Sequence, residues 1–242
     1  MTILALEFSS RQRSVAVLRP NFRTDELHES LTFQTKAEKG TRVNRPSDAI
    51  FEVVETGGPG TNAFAMIEQV LAGAGIEREQ IDVMAVGLGP GSYTGIRAAI
   101  SLAQGWQLAR GMKLAGISSA EAIAAQARTE RILGRVSVVI DAKRNELYLA
   151  SYEIAPDGWR ETVPLKIVSP AEAQSQAGAD GILIGPEVTR WFPGGRLVFP
   201  RAAALAELAG RRSVFTPGEM LEPIYLRETN YVKTSAIRRI LF

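Results

Sequence analysis

The feature that most limits how this chain can fold is a weak internal repeat. Ile3-Leu4-Ala5-Leu6 is an apolar run that ends in Glu7, and Val136-Ser137-Val138-Val139-Ile140 is another that ends in Asp141. Each is followed by a short polar turn with basic residues and then a second apolar run, Ser14–Leu18 in one case and Glu146–Tyr152 in the other. Aligning Glu7 with Asp141 sets an offset of about 134 positions, and a repeat of supersecondary size fixes architecture before any single motif does. Apolar strands that end in a carboxylate also occur in α/β proteins without duplication. Taken as a duplication, the repeat predicts two similar α/β halves facing each other across a cleft, residues 1–117 and 118–242.

Within this frame the spacing of apolar residues assigns most elements. Ile3–Phe8 and Ser14–Leu18 read as buried strands joined by five polar residues, a length that suits a hairpin. Leu27–Gln34 is a candidate third strand, and Ile50–Val54 a candidate strand inside the turn-rich stretch 35–62. From Ala63 the period becomes helical, with Phe64, Ile67, Val70 and Leu71 in register. Thr61 or Asn62 can cap this helix, and Gly73 or Gly75 ends it. A strand at Val83–Leu88 leads through a glycine-rich turn to a helix ending near Arg110. A strand at Leu114–Ile117 and a helix from Ser119 to about Arg128 complete the first block. The second block reads as strands at Val136–Asp141 and Glu146–Tyr152, a helix after Pro170, a strand at Gly181–Gly185 and an alanine-rich helix at Ala202–Gly210. Thr216 onward is expected to be irregular, and its basic, apolar end from Tyr231 to Phe242 reads as a solvated or docking tail.

Composition removes several chemistries. The chain has no cysteine and one histidine, His28. That excludes thiolate nucleophiles, disulfides and Cys-based zinc sites, together with every metal site that needs two histidines. No run approaches the roughly 18–20 apolar residues of a membrane span. Met1–Glu7 lacks the basic region of a signal peptide, so a cytoplasmic location is expected, with no membrane partner. A net charge of +2 permits contact with RNA without requiring it.

Gly87-Leu88-Gly89-Pro90-Gly91-Ser92-Tyr93-Thr94-Gly95-Ile96-Arg97 is the sharpest local motif. Its glycines allow close backbone approach. Ser92 or Thr94 can cap the helix that follows, whose first N–H groups can hold an anion. A P-loop would carry Lys and Ser or Thr after the last glycine, where Ile96-Arg97 stands. A dinucleotide-binding loop would follow the first strand. A purely structural turn and a phosphate site both remain open on these residues. The helix is rich in small residues, Ala98, Ala99, Ser101, Ala103 and Gly105. Ile96, Ile100, Ala103 and Gln107 form one stripe and Arg97, Ser101, Gln104 and Leu108 another. One stripe suits the chain's own core, and the other suits either tight internal packing or a partner. The acidic turns, Glu7-Phe8-Ser9-Ser10 and Asp141–Asn145, are either polar hairpins or sites that offer N–H groups to phosphate and a carboxylate to a magnesium-bound water.

Taken together, these blocks resemble the TsaB (YeaZ) family. Ile3–Ser9 is similar to that family's opening strand and turn, and Gly89–Arg97 followed by Ala103-Gln104-Gly105 to its signature. Ile117-Ser118-Ser119, Ile140–Tyr148 and Glu222–Arg227 are similar to three further blocks. The resemblance implies a duplicated actin-like, sugar-kinase-like α/β fold. It implies an accessory role, without catalysis by this chain, in forming threonylcarbamoyladenosine on tRNA. The partners it implies are a catalytic TsaD-like subunit and a TsaE-like ATPase, with a homodimer as another pairing and tRNA reached indirectly through the complex. It assigns the helix after the glycine signature and the one before it to pairing, which singles out Met66, Gln69, Val70, Arg97, Ser101 and Gln104. Glu7, Ser9, Ser10, Gly91, Ser92 and Asp141 would form a vestigial nucleotide site of weak affinity, with no cofactor required. The family usually has Asp at the position of Glu7. TsaD-like proteins have Glu there but also a pair of metal-binding histidines, which a chain with His28 alone cannot supply. Residues 35–62 are longer than the corresponding family stretch. A stand-alone kinase of the same fold and a peptidase are the alternative functions. The second lacks any nucleophile–base pair in the sequence.

Overall fold

The computed structural model describes residues 1–20, 43–45, 48–57, 62–178 and 180–227. Leu27–Gln34, His28, Thr61 and the chain end after residue 227 lie outside them. The first sheet contains β1 (Ile3–Glu7), β2 (Gln12–Pro20), β3 (Val43–Arg45), β4 (Asp48–Thr56), β5 (Val83–Gly87) and β6 (Lys113–Ile117), in the order β3-β4-β2-β1-β5-β6. β1 pairs antiparallel with β2 and parallel with β5, with Glu7 opposite Ser14 at the end of the hairpin. The second sheet contains β7 (Gly134–Asp141), β8 (Leu147–Ala155), β9 (Gly158–Val168), β10 (Ile182–Gly185) and β11 (Arg196–Leu197), in the order β11-β10-β7-β8-β9. β7 likewise pairs antiparallel with its successor and parallel with β10. The connectivity of the first sheet is therefore repeated in the second, with Glu7 and Asp141 at equivalent strand ends. Both central strands are buried along nearly their whole length, as strands covered on two faces must be.

Among the described residues, five α-helices cover these sheets. α1 (Ala63–Ala74) and α2 (Tyr93–Arg110) share one face of the first sheet, where Met66, Ile67, Val70, Ile96, Ile100 and Ala103 close a core with Leu6 and Val86. Gly75 ends α1 in the left-handed conformation that a glycine adopts most readily. Asn62 occupies the N-cap position of α1 without a capping side-chain bond, whereas Ser92 caps α2 through the Gly95 N–H. α5 (Ala202–Gly210) comes from the second half of the sequence but packs on the opposite face of the first sheet, against Ile3, Ala5 and Ala85. α3 (Ser119–Thr129) contacts α5 and also packs Ile123 and Ala127 on the second sheet, so the two helices lie between the sheets. α4 (Pro170–Ala177) covers the other face of the second sheet and opens with a capping box between Ser169 and Glu172.

Two features depart from the sequence reading. β9 was not anticipated, although Asp157-Gly158 is a hairpin signal and Val163, Leu165 and Ile167 alternate with Pro164 and Lys166, the proline weakening the strand pattern. The segment after α5 is irregular in backbone but tightly placed. Thr216 bridges to Leu114, Gln104 Nε2 donates to the Gly218 carbonyl at 2.8 Å, Leu221 enters the first core, and the Ile224 N–H donates to the Leu88 carbonyl at 2.9 Å. This strap runs from α5 around β6, past α2, to the second half.

Candidate functional site

The first acidic turn and the glycine-rich turn are built into one another. Serine N–H groups that could face a phosphate are already engaged. Ser9 N–H donates to Glu7 Oε1 at 2.7 Å, and Ser92 N–H donates to the Ser9 carbonyl at 2.6 Å. Ser119 Oγ donates to Glu7 Oε2 at 2.9 Å while accepting from the Gly89 N–H at 3.2 Å, and Ser119 N–H donates to the Gly89 carbonyl at 2.8 Å. A Cβ at Gly91 would lie 2.1 Å from the Ser9 carbonyl oxygen, and one at Gly95 2.0 Å from that of Phe8. The glycines thus bring the start of α2 against the first hairpin rather than against open space. Glu7, Ser9 and Ser10 are all buried, with Ser10 Oγ donating to the Gln12 carbonyl at 2.6 Å. Burial pushes the Glu7 carboxyl above its ordinary pKa, and the hydrogen bonds from Ser9 and Ser119 only partly offset that.

Asp141 is arranged similarly but nearer the surface. Its Oδ1 accepts from the Lys143 N–H at 2.7 Å, and its Oδ2 faces Lys143 Nζ at 2.8 Å and Arg190 Nη1 at 3.3 Å. Burial alone would raise its pKa. The Lys143 hydrogen bonds and the two positive charges outweigh that effect and hold it below the ordinary value. Glu187 stands beside this group, also within the field of Arg11 from the first turn, and burial raises its pKa. The structure therefore brings Glu7, Ser9, Gly91 and Ser92 into one cluster. Asp141 belongs to a separate one, with Glu187 beside it in the field of Arg11 from the first turn. The signal for Ser119, which sequence reasoning did not name as a site residue, was its place in Ile117-Ser118-Ser119 at a strand end beside the glycine turn.

The pairing residues separate by burial. Met66 and Val70 are 0% and 1% exposed and belong to the chain's own core, so they cannot form a partner surface. In α1 their positions put them on the same stripe as Ile67 and Leu71. Gln69, Arg97 and Ser101 are exposed. Gln104 is partly exposed, and its amide is used to hold the strap at Gly218. On α2 the outward stripe consists of Arg97, Ala98, Ser101, Gly105 and Leu108, the last 91% exposed, and a Cβ at Gly105 would meet nothing within 4 Å. α1 adds Phe64, 62% exposed, on the same side of the sheet. Among the described residues no group of three or more His, Cys, Asp or Glu side chains could hold a metal ion, and no helix is long and apolar enough to cross a membrane.

Comparison with known proteins gives a consistent result. The family profile for TsaD, tRNA N6-adenosine threonylcarbamoyltransferase, matches residues 61–210. A Haemophilus influenzae protein named tRNA threonylcarbamoyladenosine biosynthesis protein TsaB is 28% identical over 250 residues, covering 94% of each chain. An Escherichia coli K12 protein of the same name is 28% identical over 181 residues, covering 67% of this chain and 78% of its own. A Pseudomonas aeruginosa crystal structure, described as an uncharacterized protein with similarity to peptidase YEAZ, superposes with a TM-score of 0.72 at 26% identity. It covers 93% of this chain and 99% of its own. The duplicated α/β arrangement expected from the repeat, and the actin-like form of it that the family resemblance implied, is the fold of this chain.

Proposed function

Because the chain belongs to the family of tRNA N6-adenosine threonylcarbamoyltransferases, and within it to the TsaB (YeaZ) proteins, we propose that it is a non-catalytic accessory subunit that pairs with a TsaD-like catalytic subunit. It acts in tRNA threonylcarbamoyladenosine biosynthesis. The observation that carries the accessory role is the closed first turn. The carboxylate and N–H groups that would receive a nucleotide's metal and phosphates are spent inside the protein, on Ser9, Ser119 and Gly89. A buried carboxylate already accepting two hydrogen bonds, with its pKa raised, makes a poor metal ligand, since coordination needs the anion and a free lone pair directed outward. Glu7 instead ties the first hairpin to the start of α3 through Ser119, while the Ser9 carbonyl beside it holds the start of α2 through the Ser92 N–H.

The pairing surface is the outer face of α1 and α2, with Gln69, Arg97, Ala98, Ser101 and Leu108 in contact with the catalytic subunit. Small side chains at Ala98, Ser101 and Gly105 let a partner helix approach closely, and the apolar Leu108 and Phe64 supply area to bury. The same face serves a homodimer when the partner is absent. The TsaE-like ATPase joins through the catalytic subunit, tRNA is modified within the complex, and the chain works in the cytoplasm. Nucleotide binds this chain weakly or not at all. Titration calorimetry with ATP and magnesium tests the closed turn. No heat, or only millimolar binding, is expected from the chain alone. Turnover of ATP by the purified chain, abolished by Glu7→Gln, would make it an enzyme of the kinase type instead.

A further inference from the structure

The strap creates, with the start of α2, a second surface that shares only Arg97 with the pairing face. Tyr225 on the strap meets Tyr93 at the start of α2, with ring centroids 5.9 Å apart and planes tilted by 33°. The Arg97 guanidinium lies 4.5 Å over the Tyr93 ring, and its Nε–H donates to the Tyr225 hydroxyl at 3.2 Å. Both rings nevertheless remain open to solvent, 56% and 51% exposed. Two residues on, Arg227 donates to the Ala142 carbonyl at 3.1 Å and to Glu146 Oε2 at 2.5 Å. Tyr148 lies within the electrostatic reach of both Arg227 and Tyr225. The turn beyond holds Lys143, Arg144 and Asn145 at φ of 62°, 57° and 59°, all exposed. Left-handed backbone is unfavourable at a residue with a side chain, yet three successive residues adopt it and are exposed. Lys143 is neutralised by Asp141 and Arg227 by Glu146, whereas Arg97 and Arg144 have no carboxylate partner among the described residues.

Aromatic faces and guanidinium groups therefore alternate along one band, from the start of α2, across the strap, to the turn of the second half. Single-stranded nucleic acid satisfies both kinds of group with one ligand, since bases stack on exposed rings and on guanidinium planes while phosphates meet the unpaired cations. We propose that this band binds single-stranded RNA directly, with bases on Tyr93 and Tyr225 and phosphates toward Arg144. The choice of RNA over DNA rests on the tRNA-modification reading above.

The test is fluorescence anisotropy of the purified full chain with a labelled tRNA anticodon stem-loop, and with an RNA duplex of equal length. The loop should bind more tightly than the duplex. Removing both rings in Tyr93→Ala/Tyr225→Ala should weaken loop binding at least about fivefold per ring. Tyr225→Phe, which keeps the ring, should bind the loop as the unmodified chain does. Arg144→Ala should reduce the salt dependence by about one phosphate contact. Failure of the unmodified chain to bind, equal affinity for loop and duplex, or unchanged binding by a double variant with normal thermal unfolding would each overturn the proposal. Pull-down with the TsaD-like subunit is read separately. If the double variant loses pairing but keeps its RNA affinity, the band is a protein contact and the RNA proposal fails while the accessory role stands. If RNA binding behaves as expected and no variant pairs, the proposal stands and the accessory role fails.

Discussion

Glu7 ends a fully buried strand, and its charge state is set by what the chain packs around it. A folded-state pKa raised above the unfolded value means that the native state binds more protons than the unfolded one above the ordinary carboxylate range. Stability should therefore be greatest at or below about pH 4.5 as far as this residue is concerned, and should fall as pH rises through the raised pKa. Denaturant midpoints taken between pH 4.5 and 8 should show this decline in the native chain and a flatter profile in Glu7→Gln. An equal decline in both would assign the dependence to other groups. Gly95 tests the same junction by shape. A methyl group there would press on the Phe8 carbonyl at 2.0 Å, so Gly95→Ala should destabilise by about 1–3 kcal/mol, read as a lowered Tm. The Glu7 turn was legible in the sequence as an acidic strand end. Its partner Ser119 lies 112 positions away, and no local pattern specifies which hydroxyl will meet a carboxylate across a fold. Hence the same residues admit both an open nucleotide turn and the closed one observed.

The helices show where periodicity succeeds and where it needs help. In α2 the buried stripe Ile96, Ile100 and Ala103 differs in polarity from Arg97 and Ser101, whereas Leu108 is apolar yet exposed on the outward stripe. In α1 the family argument favoured Met66 and Val70 for pairing, but both belong to the apolar stripe with Ile67 and Leu71. Met66→Ala should therefore cost about 2–5 kcal/mol in stability by leaving a cavity, whereas Gln69→Ala should leave stability within about 0.5 kcal/mol; denaturant melts separate the two. α5 is held by contacts invisible along the sequence. Arg201 forms a two-point ion pair with Glu52 at 3.1 and 2.6 Å, Glu52 Oε1 also accepts from the Ala203 N–H, and Ser14 Oγ accepts from the Ala202 N–H. The Glu52 side chain is 4% exposed, so Glu52→Ala should cost about 3 kcal/mol by stranding the guanidinium. An unchanged melting curve would show that α5 is held by its alanine packing alone. β9 escaped the sequence reading because its alternating residues are only half-buried, which leaves a weak contrast between its faces.

At the scale of the whole molecule, two copies of one strand pattern face each other through α3 and α5, and the strap crosses from one to the other. The duplication was legible because its strand ends repeat, but the placement of α5 on the first sheet was not, since nothing in Ala202–Gly210 states which apolar surface it will cover. Among the described residues, the outer face of α1 and α2 lies outside the core and is joined, through Gln104, to the strap. The accessory role depends on that face. Its most direct test is sedimentation of the purified chain with a purified TsaD-like subunit, using the native chain and Ser101→Glu. The native chain should form a stoichiometric complex. Ser101→Glu, which carries a charge into a closely packed helix contact, should associate at least about tenfold more weakly with an unchanged Tm. A native chain that stays apart from the catalytic subunit, or a Ser101→Glu variant that pairs as well as the native chain, would contradict it.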